Sequence, residues 1–258
     1  MTAPGVRVRI DERAGGAIAF VTLDNAAKLN TLTGALMREL VNRVSALSAR
    51  DDLRAMVLTG AGSRAFIGGA DIAEMAALDQ ATAREFIAQV HRTCDVLRRF
   101  PVPVIARIDG YALGAGLEVA VSCDLRVAAT RSKFGMPEVK VGLPSVVEAA
   151  LIPRLIGAGR ANELLMLGET IDAATALSWG LIDRAVEAEA LDAEVDRIVA
   201  ALLAAGQQAV RRQKALMHEW ENLPADRAIE AGIDAFARTF ETDEPTRLLS
   251  AFVKRKRI

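Results

Sequence analysis

Residues 101–124, PVPVIARIDGYALGAGLEVAVSCD, constrain this chain more than any other stretch. They begin as a buried strand, with Val102, Val104, Ile105 and Ile108 in a short apolar run behind prolines. The run breaks at Gly110, passes through Gly114-Ala115-Gly116, and ends in an apolar helical pattern of Leu117, Val119, Ala120 and Val121. Strand, glycine-rich turn and helix in that order aim unpaired backbone N–H groups past the turn and favour an anion there. One carboxylate, Glu118, lies in the first turn of this apolar helix. Its desolvation is costly unless the side chain has a partner or a task.

Strand and helix signals alternate around this stretch. Residues 6–24 read as two strands with a turn over 11–16, and 25–30 as a loop. Thr31 or Thr33 can cap a helix whose apolar stripe is Leu36, Leu40, Val44 and Leu47. A strand over 53–59 and a glycine-rich loop over 60–69 follow. Asp71 can cap a short helix running to Met75, and 82–100 carries Phe86, Val90, Cys94 and Leu97 on one helical face. Another strand is predicted over 125–129. This order predicts an α/β fold with a parallel, helix-covered sheet. Beyond Pro144 only helices are legible, over 145–155, 160–167, 172–179, 191–205 and 207–222, and in a last one with Ile229, Ile233, Phe236 and Phe240 on one face. That apolar face implies either a partner subunit or packing on the chain's own core.

Composition narrows the function. The 258 residues are 52% hydrophobic, and the net charge is −1 with acids and bases interspersed. Such a chain is not expected to bind nucleic acid or a membrane surface. The exception is the basic run Lys254-Arg255-Lys256-Arg257, read as a solvated terminus or a phosphate contact. Only Cys94 and Cys123 are present, without His or Cys at zinc-like spacing, so no metal site is expected. Two thiols and no apolar leader or spanning run point to a cytoplasmic protein.

Three catalytic schemes can be weighed. Gly60-Ala61-Gly62-Ser63-Arg64-Ala65 matches the dinucleotide fingerprint, but Phe66-Ile67-Gly68-Gly69 follows where a helix should open. No G-x-S-x-G surrounds any serine, and His91 and His218 lie in helical patterns as expected surface or packing residues. The third scheme joins two glycine turns, 66–72 and 110–116, to two carboxylates, Glu118 and Glu138. Each turn follows a predicted strand, so both fall at strand C-terminal ends, where open α/β sheets bind ligands.

The segments FIGGADIAEM and IDGYALGAGLEVAVSCD resemble the two central motifs of the crotonase superfamily, the enoyl-CoA hydratase/isomerase group. LDNAAKLNTL is similar to its CoA-proximal loop and FGMPEVKVGLP to its third active-site segment, and the likeness spans essentially the whole chain. The resemblance implies repeated ββα units around a spiral core. It also implies a core domain over 1–200 and a C-terminal helical region over 201–258 that serves trimer formation, with dimers of trimers possible. It implies an acyl-CoA thioester substrate and no cofactor beyond the CoA of the substrate. By the resemblance, the N–H groups of Gly68 and Ala115 form an oxyanion hole, Glu118 activates water and Glu138 delivers a proton. CoA is expected around Ala26, Lys28 and Leu29 and along Ala65, Phe66, Gly69, Ala70, Asp71 and Ile72. Leu113, Gly114, Pro137 and Val146 are expected beside the acyl group, and Lys214 or the basic tail against a phosphate.

One region departs from the family pattern. Where typical hydratases carry a glycine-rich loop and Thr-Gln-Arg-Leu, this chain has Ser145-Val146-Val147-Glu148-Ala149-Ala150-Leu151. Glu148 is read as an acid capping the following helix, or alternatively as a contact for a polar acyl group or the catalytic water. The expected function is enoyl-CoA hydration. The alternatives are a Δ3,Δ2-enoyl-CoA isomerase, another acyl-CoA enzyme of the family, or a non-catalytic acyl-CoA-binding scaffold.

Overall fold

A computed structural model describes residues 3–255; Lys256 and Arg257 of the basic run lie outside the described residues. Strand β1 (Gly5–Arg13) turns back antiparallel onto β2 (Gly16–Asp24), pairing Gly5 with Asp24 and Arg13 with Gly16. Helix α1 (Gly34–Leu47) starts at Thr33, whose hydroxyl accepts the Leu36 N–H at 3.2 Å. Its predicted stripe is buried, with Met37 added to it.

Three strand pairs follow, each with helix after it. Strand β3 (Leu53–Gly60) leads to β4 (Ala65–Ile67) and then α2 (Ile72–Ala76) and α3 (Gln80–Arg98). Strand β5 (Val104–Ile108) leads to β6 (Tyr111–Leu113) and α4 (Ala115–Val121). Strand β7 (Leu125–Ala129) leads to β8 (Lys133–Gly135), two 3-10 turns (Pro137–Val141 and Val147–Leu151), α5 (Ile152–Ile156) and α6 (Ala158–Leu167). These are repeated ββα units. The rest is β9 (Thr170–Asp172), α7 (Ala173–Trp179), β10 (Arg184–Val186) and the helices α8 (Leu191–Ala204), α9 (Gln207–Trp220), α10 (Ala225–Thr239) and α11 (Glu244–Arg255).

The first strand of each pair joins one sheet and the second joins another. The larger sheet has the order β1-β2-β3-β5-β7-β10, parallel from β2 onward; the smaller has β4-β6-β8-β9, with only β9 antiparallel. Both faces of the larger sheet are covered. Leu53, Met56 and Leu58 of β3 pack toward α1, α3 and α4, while Ala55 and Val57 meet Leu191, Val195 and Val199 of α8. Coverage on both sides explains why β3 and β5 read as continuous apolar runs. The smaller sheet was not expected. Its β4 lies inside the predicted 60–69 loop, β6 inside the predicted 110–116 turn, and β9 in the part read as purely helical, where β10 of the larger sheet also lies.

Candidate active site

Three parallel neighbours of the smaller sheet deliver the candidate residues. Past the C-terminal end of β4 come Gly68, Gly69 and Ala70; past β6, Gly114 through Glu118; past β8, Pro137 and Glu138. Gly116 lets α4 approach β4, because a Cβ there would fall 2.0 Å from the Ile67 carbonyl oxygen. Between the segments is a cavity of about 270 Å³. Of the sequence-predicted residues, Gly68, Gly69, Ala70, Ile72, Leu113, Gly114, Ala115, Glu118, Pro137, Glu138 and Val146 line it.

The amide of Gly68 is not available to a ligand. Leu29 and Asn30 are both left-handed, with φ of 55°, and the Asn30 amide group is tied to the Ala61 and Ala65 carbonyls at 3.0 and 2.7 Å. This bend turns the Leu29 carbonyl onto the Gly68 N–H at 2.8 Å. The expectation for Gly68 is therefore corrected: its donor is spent within the fold. Two residues on, at Ala70, the chain pairs with Leu32 through the Gly69 carbonyl and the Asp71 N–H. Among the described residues the Ala70 N–H has no hydrogen-bond partner, and neither has that of Ala115, at the head of α4. First-turn amides lack intrahelical partners, and the helix end adds a favourable field for negative charge.

Glu118 is buried, and its Oε1 accepts the Ala149 N–H at 3.3 Å. Burial first, then the negative charge of Glu138, pushes the Glu118 carboxyl up to about 8, with Glu148 adding to the effect. Its neutral form is thereby favoured. Glu138 accepts the Ser145 hydroxyl at 2.8 Å, and its Oε1 lies 2.3 Å from where a Cβ on Gly114 would stand. With φ at 52°, position 114 suits glycine on both counts.

The remaining expected residues lie outside the cavity. Ala65 and Phe66 are buried in β4, 1% exposed each, and do not reach the cavity. Ala26, Lys28 and Leu29 form a neighbouring turn, where Lys28 lies 3.3 Å from Asp71 and lines a separate cleft with Asn25 and Thr33. Asp71 caps α2 by accepting from Ala73 and Glu74, so it shapes the wall without lining it. Lys214 is buried far from that turn, donating to the Leu97 and Val102 carbonyls and, at 2.7 Å, to Asp124. Glu148 does not cap a helix: it lies 2.7 Å from His91, which is therefore more than a bystander.

Sequence reasoning missed part of the wall. Met75 of α2, Phe86, Ile87 and Val90 of α3, and Leu143 and Pro144 close it. Phe86 and Val90 stood out as an apolar helix face, but periodicity cannot separate a face turned to a cavity from one turned to the core. Among the described residues no three His, Cys, Asp or Glu side chains group closely enough to hold a metal ion.

Known proteins resemble this chain along most of its length. The profile of the enoyl-CoA hydratase/isomerase family matches residues 13–258. A crotonyl-CoA hydratase of Syntrophomonas wolfei is 35% identical over 93% of this chain and 93% of its own length. A short-chain-enoyl-CoA hydratase of Clostridium acetobutylicum is 31% identical over 94% of each. The crystal structure of an enoyl-CoA hydratase from Bacillus anthracis superposes with a TM-score of 0.91 at 29% identity, covering 96% of both chains. One from Mycobacterium smegmatis gives 0.91 at 28% identity and the same coverage. With its repeated ββα units and the family profile matched over residues 13–258, the chain belongs to the enoyl-CoA hydratase/isomerase family.

Proposed function

We propose that this protein hydrates the C2=C3 double bond of a short, apolar 2-enoyl-CoA thioester. The observation that carries the reading is that Ala70 and Ala115, whose amides are unpaired among the described residues, line one apolar-walled cavity with Glu118 and Glu138. Addition of water to a conjugated thioester passes through an enolate, with negative charge on the thioester oxygen. Two fixed N–H donors stabilise that charge, and a single such donor is worth about 3–4 kcal/mol. The CoA portion is assigned to the outer side of the same wall, near Ala26, Lys28 and Leu29.

The carboxyl pair supplies acid and base. Hydration needs one carboxylate to take a proton from water as its oxygen bonds to C3, and one carboxylic acid to protonate C2. A pair sharing one proton at neutral pH meets that need. Burial, with Glu138 nearby, favours the protonated form of Glu118. We assign both roles to the pair. The names of the hydratase relatives and the apolar wall of Ile72, Met75, Phe86, Ile87 and Val90 support a short acyl group.

Loss of enoyl absorbance with crotonyl-CoA and a panel of branched enoyl-CoAs tests the reading. Glu118→Gln and Glu138→Gln are each expected to lower turnover by roughly 10²–10⁴-fold, with CoA-ester binding retained by calorimetry. Isomerisation of a 3-enoyl-CoA without hydration of any 2-enoyl-CoA would overturn hydration in favour of double-bond migration. Binding without turnover would make the protein an acyl-CoA carrier.

A further inference from the structure

Between β8 and α5 the chain makes a tight return. Gly142 is left-handed, with φ of 77°, and the Leu143 N–H donates to the Glu138 carbonyl at 3.1 Å. Pro144 follows, and Ser145 comes back beside the residue where the loop began: its hydroxyl donates to Glu138 Oε2 at 2.8 Å. Two residues later the backbone is strained. Val147 has φ of 41°, and of the three described residues outside glycine with positive φ it is the one that is β-branched. Strain of this kind persists only where the surroundings over-determine it. Here the chain is fixed on both sides of Val147, by the Ser145 bond before it and by the buried Ala149, whose N–H donates to Glu118, after it.

Pro144 and Val146 line the cavity, and Ser145 between them does not. Its hydroxyl serves the carboxyl of Glu138 and not the acyl group. Glu138 stands on the short 3-10 turn Pro137–Val141, and a glutamate side chain has much rotamer freedom to lose. Among the described residues no other group donates to its carboxyl. With Oε2 held by Ser145, Oε1 lies against Gly114, 2.3 Å from where a Cβ there would stand. Gly114 precedes Ala115, whose N–H is unpaired among the described residues at the head of α4. The bond therefore leaves Oε1, and not Oε2, at the turn to which the thioester is assigned.

We propose that Ser145 is a positioning residue for the reaction: its hydroxyl fixes the Glu138 carboxyl so that one oxygen, Oε1, is presented to the substrate beside the Ala115 amide. Ser145 touches no reacting atom. It acts by keeping Glu138 in one rotamer, so its loss lowers the fraction of bound complexes in which the carboxyl is aligned for proton transfer. Binding of the ester depends on the cavity wall, which Ser145 does not line, and is left as it was. This inference rests on the acid–base reading of Glu118 and Glu138, and one arm of its test needs no turnover.

The test compares the full-length wild type with S145A, E138Q and E138Q/S145A in steady-state hydration of crotonyl-CoA. Loss of one hydrogen bond to a carboxyl predicts a fall of about 10-fold in kcat for S145A, with KM unchanged. In the E138Q background the serine change is expected to have no further effect, because its target is already gone. A wild-type kcat in S145A, a loss confined to KM, or an S145A effect that survives in full in E138Q overturns the proposal. Crystal structures of the wild type and S145A supply the arm without turnover. Glu138 is expected in a single rotamer against Gly114 in the wild type, and in several rotamers or drawn off Gly114 in S145A. The same single rotamer in both overturns the proposal. A wild-type protein that hydrates no enoyl-CoA overturns the assigned reaction instead, and the Glu138 rotamers then decide whether Ser145 positions it.

Discussion

A carboxyl that the fold keeps protonated makes folding itself respond to pH. Glu118 is lifted from an ordinary 4.5 to about 8, chiefly by burial. The folded chain therefore holds this proton more tightly than the unfolded chain does. The associated stability is complete below about 4.5, declines as pH rises between 4.5 and about 8, and is gone above that window. Glu118→Gln mimics the neutral side chain. Thermal melts at pH 5 and pH 8.5 should show the wild type losing stability across the interval and E118Q losing less; parallel losses would count against a protonated Glu118. This residue was legible as an acid set among Leu117, Val119 and Ala120. The free amide was not, because it depends on where the Leu29 carbonyl points, and that follows from two successive left-handed residues that no motif announces. Glu148 was visible as a departure from pattern, but its partner His91 lies on a separate helix and only packing brings them together.

At the scale of elements, long pieces were legible and short ones were not. Helices α1 and α3 and strands β2, β3 and β5 carry enough apolar periodicity or bulk to be read directly. Strands β4, β6, β8, β9 and β10 have three residues each, too few to show a period of two; the first four are held by pairing with one another and β10 by pairing with β7. Yet β4, β6 and β8 are what aim the site. The short helix α2 after β4 shows how local chemistry compensates for brevity. Asp71 accepts two first-turn N–H groups and pairs with Lys28, and these three bonds join the cavity wall at Ile72 and Met75 to the neighbouring turn. Asp71→Ala is expected to cost about 1 kcal/mol as a lost cap. Because α2 lines the cavity while the carboxyls stand on other segments, the kinetic effect should fall on KM for crotonyl-CoA more than on kcat. A fall in kcat at unchanged KM would place Asp71 nearer the chemistry than its bonds do.

For the molecule as a whole, the C-terminal helices leave more apolar surface exposed than a solitary chain of this size ordinarily shows. Ile229, Ile233 and Phe236 lie along one face of α10 with Phe240 just past its end, and all four are more than half exposed. Phe236 and Phe240 meet edge to face at 5.5 Å, which gives the patch a fixed shape. On α11, Leu249 and Val253 are likewise exposed. The two readings open from sequence were a partner subunit and packing on the chain's own core, and this exposure removes the second. A contiguous apolar surface of this kind marks an interface, and obligate interfaces are its usual setting. We therefore expect the wild type to run as a trimer, or a pair of trimers, by light scattering at micromolar concentration. Ile233→Asp with Phe236→Asp puts two charges into the middle of the face and should release single chains. Their far-ultraviolet dichroism should be preserved, because the sheet core and α8 are formed without this face. A wild type that is monomeric at those concentrations would leave the face for a different protein.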